Sequence, residues 1–307
     1  AISIITRPFY VLAASVGGAL GLRFLDRVGK GVREAPRDAI LSLSSSKEEM
    51  GRSFGYHRTM DTIGAVIGPL AAYLILRTFP LRFDLVFLTA FFVGTLSLFT
   101  LFFIKDITLA LAEAKPAALR GSFARLSPQY RHFVIATFIL SIGSLPVAVL
   151  LLATTSAGLI IADIPLFYML YNISYALFSI PAGALSDRIG ARTVICFGYG
   201  ALLAGYATLA FAHSTPALIG SFLLLGLFPA LTDGVQRSFA SQLTHQDVRG
   251  GGLGWLNAAN GFGALIAGIA GGWLWQNYNP ATAFLAGGCV IIVGLVMLLN
   301  SVRTVQT

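Results

Sequence analysis

Residues 280–301 read PATAFLAGGCVIIVGLVMLLNS, a run of 22 residues without one Asp, Glu, Lys, Arg or His. A helix rises about 1.5 Å per residue, so this run spans about 33 Å, close to the hydrocarbon thickness of a bilayer. Comparable runs lie near 1–16, 17–43, 51–77, 82–104, 131–157, 163–185, 192–212, 215–241 and 251–275. The sequence therefore predicts ten spans, the first of them short, and an all-α, polytopic transmembrane helical bundle.

Composition excludes the soluble alternative. Across 307 residues 56% are apolar and 11% charged, with a mean hydropathy of +0.79. A soluble domain carries about a quarter charged residues, so too little polar surface remains to face water. The 33 glycines suit membrane helices, whose backbones approach closely where side chains are small. The net charge of +8 does not point to nucleic acid, because the basic residues collect between the spans. Cys196 and Cys289 lie inside apolar runs and carry no metal spacing. No phosphate loop, His-Glu-x-x-His or zinc cluster is present, so an enzyme is not expected, nor a cofactor. The chain starts at Ala1, mid-pattern and without a signal-peptide layout, which reads as a longer sequence cut at its N-terminus.

The connections between spans fall into two alternating sets. One set (44–52, 105–132, 186–192, 242–250 and 302–307) carries eleven bases: Lys47, Arg52, Lys105, Lys115, Arg120, Arg125, Arg131, Arg188, Arg192, Arg249 and Arg303. The other carries two, Arg77 and Arg82. Basic loops stay cytoplasmic, so the C-terminus is expected in the cytoplasm, in a multi-pass protein of the plasma or inner membrane. The long connection 105–130 reads as a linker between an N-terminal half, 1–104, and a C-terminal half, 131–307. An offset of 199 residues pairs Gly51 with Gly250, Gly55 with Gly254, Gly64 with Gly263, Tyr56 with Trp255 and Asp61 with Asn260. Many transporters are built from such repeats. The repeat length implies two pseudo-symmetric six-helix halves, with about two spans preceding Ala1.

The run 17–43 is unlike the others. It holds Arg23, Asp26, Arg27, Lys30, Arg33, Glu34, Arg37 and Asp38, which at about 100° per residue share an arc of roughly 140°. One ionised residue at the bilayer centre costs roughly 2.5–3.5 kcal/mol, against about 0.3–0.6 returned by an apolar one. Eight charges cannot face lipid, so this face lines a watered cavity or a paired network. A ladder of intrahelical salt bridges accounts for part of it but leaves five bases against three acids. The next span places His57, Arg58 and Asp61 on the side that carries Gly64 and Gly68. Asp61 reads as a proton carrier, or as a permanent partner of Arg27 or Arg33. In the second half Asp233 and Arg237 stand one turn apart, a spacing that allows them to pair.

Gly183-Ala-Leu185-Ser186-Asp187-Arg188-Ile-Gly190-Ala-Arg192 resembles the loop signature of the major facilitator superfamily, Gly-x-Leu-Ser-Asp-Arg-x-Gly-x-Arg, at every fixed position. By this resemblance Gly183, Asp187, Arg188, Gly190 and Arg192 form a gating loop that latches the halves. Gly190 would turn the chain and Asp187 would cap a helix start. Gly55, Gly64, Gly68 and Pro69 resemble the Gly/Pro motif of proton-driven exporters, with Ala72 and Tyr73 in place of its final glycines. Arg27-x-x-Lys30-Gly31 resembles their fourth-helix motif, with Lys where Gln is usual.

Periodicity sets Tyr168, Tyr171, Asn172, Tyr175 and Ser179 on one face of 163–185, and this face reads either as a cavity lining or as an interhelix seam. Tyr171, Asn172, Tyr175, Asn257 and Asn260 are the candidate substrate-cavity residues, rings for apolar surface and amides for orientation. Asp61, Arg27, Asp26, Lys30, Arg33, Arg23 and Arg58 are the candidate proton-coupling network. The expected protein is a monomeric secondary transporter in the lipid bilayer, working by alternating access. It would export a small organic molecule against protons as an antiporter. Uptake or facilitated diffusion, or a transporter-shaped sensor, are the alternatives.

Overall fold

In a computed structural model, the described residues are 9, 17–18, 21–22, 25, 50–100, 123, 126–156, 160–211, 214–244 and 249–300. The expected spans 1–16 and 17–43 thus lie almost wholly outside the described residues, as does most of the 105–130 connection. The chain divides into two compact units, Ala1–Pro116 and Ala117–Thr307.

All regular structure among the described residues is helical. In the first unit α1 spans Met50–Thr78 and α2 spans Phe83–Phe99. Pro69 lies inside α1. The two helices pack on each other, and Leu76 is buried. At the turn between them the Arg82 guanidinium forks onto the Asp84 carboxylate, Nε to Oδ1 at 2.9 Å and Nη2 to Oδ2 at 2.7 Å. The hydrogen bond to Asp84, and then its charge, push the Arg82 pKa upward.

The second unit is a bundle of α3 (Pro128–Gly143), α4 (Val147–Ser156), α5 (Ile164–Ile189, after a 3-10 turn at Ile161–Asp163), α6 (Ala191–Ala210), α7 (Thr215–Gln242), α8 (Arg249–Asn277) and α9 (Pro280–Asn300). Two packing groups build it. Helix α7 lies between α5 and α6, α3 lies against α8 and α9, and α6 meets α9 to join them. Tyr130, Phe133, Leu140, Tyr199, Leu202, Phe222, Leu225, Phe284 and Ile291 are buried at the seams. The outward faces are as apolar as the core: Ile180 is 80% exposed, Ile269 67% and Leu177 65%. Such a surface is stable only in lipid. Among the described residues six helical segments are long and apolar enough to cross a bilayer, and Ile63–Thr78 and Phe83–Phe99 are shorter apolar helices.

Three differences from the sequence reading have physical causes. The helix expected from 131 starts at Pro128, because Ser127 Oγ accepts the Tyr130 N–H at 3.2 Å and proline occupies the first turn. Proline is pre-set for that position, where its missing N–H leaves nothing unpaired. The span expected as one helix over 131–157 is broken: α3 ends at Gly143, Ser144 is extended (φ −87°, ψ 92°), and α4 begins after Pro146. Pro146 has no N–H to continue the ladder. Third, the expected loop 186–192 is largely helix. Helix α5 runs to Ile189, Gly190 takes φ 90°, and α6 starts at Ala191. The Gly190 N–H donates to the Ser186 carbonyl at 3.0 Å, and a side chain at that positive φ would be strained. Gly190 is the turn, as expected. Asp187 is not a helix cap, since it sits in the last turn of α5 and Gly190 takes the cap position of α6.

The break in the α3–α4 span is clasped from α6. Tyr206 Oη accepts the Leu145 N–H at 2.6 Å and donates to the Gly143 carbonyl at 3.1 Å. The ring is buried against Phe284. Tyr206→Phe keeps the ring and leaves both backbone groups unmet, at a cost of about 1–3 kcal/mol for a buried orphan. The expected result is a lower melting temperature in detergent with faster hydrogen exchange at Leu145. Unchanged exchange there would show that the hydroxyl holds nothing.

Candidate functional site

Polar side chains in the second unit gather on α5, α6 and α7. On α5, Tyr168 and Tyr171 stack with ring centroids 6.2 Å apart and planes 13° apart. One turn on, Tyr175 Oη donates to Asp233 Oδ2 at 3.1 Å, and Asp233 is exposed on α7. Three residues further along α7, Gln236 is buried and its Nε2 donates to Tyr199 Oη of α6 at 3.3 Å. The helices approach this closely because α7 carries no side chain at Gly226: a Cβ there would run into the Tyr171 carbonyl oxygen, with Ser174 Cβ at 2.7 Å. The result is a carboxylate in the body of a membrane helix with tyrosine hydroxyls around it. Ionisable groups at such depth are costly and mark ion or substrate pathways.

The expected cavity residues are dispersed. Tyr171 and Tyr175 belong to this cluster. Asn172 is buried at 6% exposure, and its amide donates to the Tyr168 carbonyl of its own helix at 2.7 Å. Asn260 is on α8, where its Oδ1 accepts from Ser141 Oγ of α3 at 2.7 Å, and Asn257 is exposed one turn before it. The structure joins Tyr175 of α5 to Asp233 of α7, a bond the sequence reading did not include. The polar face of 163–185 and the Asp233–Arg237 spacing were both visible in the sequence, yet no spacing links residues 58 positions apart.

In the expected gating loop Gly183 is half-buried, Asp187 and Arg188 are exposed at the end of α5, and Arg192 is half-buried in the first turn of α6. Arg188 suits the negative end of α5; Asp187 does not.

In the first unit Asp61 is exposed on α1. A Cβ added at Gly64 or Gly68 would meet nothing within 4 Å, so no described neighbour presses on these two glycines. Gly55 and Arg58 lie in α1, but their side chains fall outside the described residues. Arg23, Asp26, Arg27, Lys30 and Arg33 lie wholly outside them. No group of three or more His, Cys, Asp or Glu that could hold a metal occurs among the described residues.

Comparison with known proteins places these helices. An uncharacterised MFS-type transporter of Methanocaldococcus jannaschii is 33% identical over 94% of this chain and 73% of its own length. Multidrug resistance protein MdtH of Aeromonas salmonicida is 31% identical over 117 residues, 38% of this chain and 30% of its own. Among solved structures, a point mutant of the nucleoside transporter NupG matches 98% of this chain and 81% of its own with a TM-score of 0.77 at 18% identity. A POT family transporter in complex with a thioalcohol-conjugated peptide matches 99% and 80% with a TM-score of 0.71 at 14% identity. At those identities the likeness is one of fold. The sequence profile of the Major Facilitator Superfamily matches residues 132–306. That match, covering more than half of the chain, and a relative one-third identical along nearly all of it make this chain a member of the Major Facilitator Superfamily of transporters.

Proposed function

We propose that the protein exports a small organic molecule by alternating access, driven by inward movement of protons. The observation that carries this reading is the pair of carboxylates placed in apolar helices, Asp61 in α1 and Asp233 in α7 beside Tyr175. A side chain that stays charged at such depth needs a partner, and one that changes partner can take and release a proton. The partial likeness to a multidrug resistance protein supports export over uptake. Stacked Tyr168 and Tyr171 with Asn257 suit an amphipathic substrate, rings for its apolar area and an amide for its orientation. On this reading Asp61 is the proton carrier, with Arg23, Asp26, Arg27, Lys30, Arg33 and Arg58 as its charge network. The 183–192 segment latches the two halves on the cytoplasmic side. The protein works as a monomer in the plasma or inner membrane, with its C-terminus cytoplasmic.

The test is substrate counterflow and pH-driven flux in proteoliposomes holding the full-length protein. Counterflow together with accumulation that reverses when the pH gradient is reversed is the expected result. Ligand binding without movement would replace transport by sensing; movement indifferent to pH would leave a facilitated-diffusion carrier.

A further inference from the structure

A groove of about 580 Å³ opens between the first turns of α6 and the last turn of α9, lined by Arg192, Thr193, Cys196, Val296, Leu299 and Asn300. Its two ends differ in chemistry. Arg192 and Thr193 are the second and third residues of α6, and Asn300 is the last of α9, so the polar end lies where both spans reach the membrane interface. Cys196, Val296 and Leu299 lie deeper along the same helices and form the apolar end. Val296 and Leu299 are half exposed to the surroundings of the bundle.

Arg192 is the informative residue. Its Nε is buried and has no hydrogen-bond partner. A buried donor on a charged group is expensive to leave unmet. The first turn of α6 adds to this demand: Gly190 holds the cap position with no side-chain bond to the free amides, and helix starts attract anions. Among the described residues no Asp or Glu lines the groove. The site therefore combines a bidentate-capable guanidinium, a hydroxyl, an amide and a positive helix end with an apolar channel running toward the bilayer core.

We propose that this groove binds an anionic phospholipid, with the phosphate on Arg192 and Thr193, the headgroup hydroxyls at Asn300, and an acyl chain along Val296 and Leu299. A free phosphate would meet the polar end but leave the apolar wall unused. A zwitterionic choline lipid would bring a cation to a site with no acid among its described lining residues. The occupant is thus a lipid of net negative charge, held between the start of α6, where the 183–192 segment ends, and the last turn of α9.

The experiment is native mass spectrometry of the full-length protein in detergent, incubated with equimolar phosphatidylglycerol and phosphatidylcholine of identical acyl chains. Both lipids carry the phosphate, so the difference rests on the headgroup: uncharged glycerol leaves a net negative charge and hydroxyls for Asn300, where choline brings a cation beside Arg192. Retention of phosphatidylglycerol about tenfold above phosphatidylcholine is expected, a difference of about 1.4 kcal/mol. Arg192→Gln should bring that ratio close to one. Val296→Trp, at an exposed position, fills the apolar end and should remove phosphatidylglycerol while the helical circular dichroism stays unchanged. Equal retention of the two lipids by the wild-type protein overturns the proposal, as does unchanged selectivity in either variant. Displacement of the lipid by millimolar inorganic phosphate would assign the site to the free anion instead.

Discussion

Gly143→Val is expected to prevent the second unit from folding to a stable bundle, because the site has no room for a side chain and no neighbour that can yield. A Cβ at Gly143 would lie 2.6 Å from the Gly287 carbonyl oxygen and 2.9 Å from the Ile291 nitrogen. Both are backbone atoms of α9, so relief requires α3 and α9 to move apart as whole helices. The contact is reciprocal: a Cβ at Gly287 would lie 2.8 Å from the Gly143 carbonyl oxygen and 3.2 Å from Tyr206 Cε2. Separation there also pulls Tyr206 from the break it clasps. Overpacking by a methylene or two costs about 1–3 kcal/mol where side chains can adjust, and here they cannot, so more than about 3 kcal/mol is expected. In membranes the loss is not offset elsewhere, since helix association rests on close packing rather than on exclusion of water. The measurement is monodispersity on size exclusion and the melting temperature in detergent. Gly200→Val is the control, since a Cβ at Gly200 meets nothing within 4 Å. Equal behaviour of the two variants would contradict the close approach of α3 and α9.

What the sequence could reveal follows from which interactions are local. Hydropathy needs only the chain itself, so the spans through 163–185, 215–241 and 280–301 are found within a few residues of α5, α7 and α9. The break at Ser144–Pro146 is hidden because residues 128–155 are apolar on both sides of it, and hydropathy does not register a missing N–H. Its repair is more remote still, since Tyr206 is 61 residues away from Leu145. The same limit governs the site. Spacing joined Asp233 to Arg237 because an i, i+4 pair is the contact that spacing can see. The Tyr175–Asp233 and Ser141–Asn260 bonds depend on which helices become neighbours. Gly190 was legible for the opposite reason: a one-residue turn at positive φ between two spans is a local demand that only glycine meets without strain.

Asp61→Asn is expected to abolish pH-driven accumulation while sparing substrate-for-substrate exchange. A pH difference of one unit stores about 1.4 kcal/mol per proton, enough for about tenfold accumulation when one proton moves per substrate. Asparagine keeps the shape of the side chain and removes the titration. The variant would carry substrate down its own gradient to a ratio near one, with the pH gradient unable to do work on it. Counterflow should persist, because exchange of labelled for unlabelled substrate needs no net proton movement. The alternative role, a permanent salt bridge to a base on the preceding span, predicts another pattern. Removing one partner of an ion pair leaves the other charge unmet inside the bundle, so the variant would lose thermal stability and counterflow together. Accumulation that stays near tenfold in Asp61→Asn would rule out both roles. The same pair of assays on Asp233→Asn would then decide whether the carboxylate held by Tyr175 carries the proton.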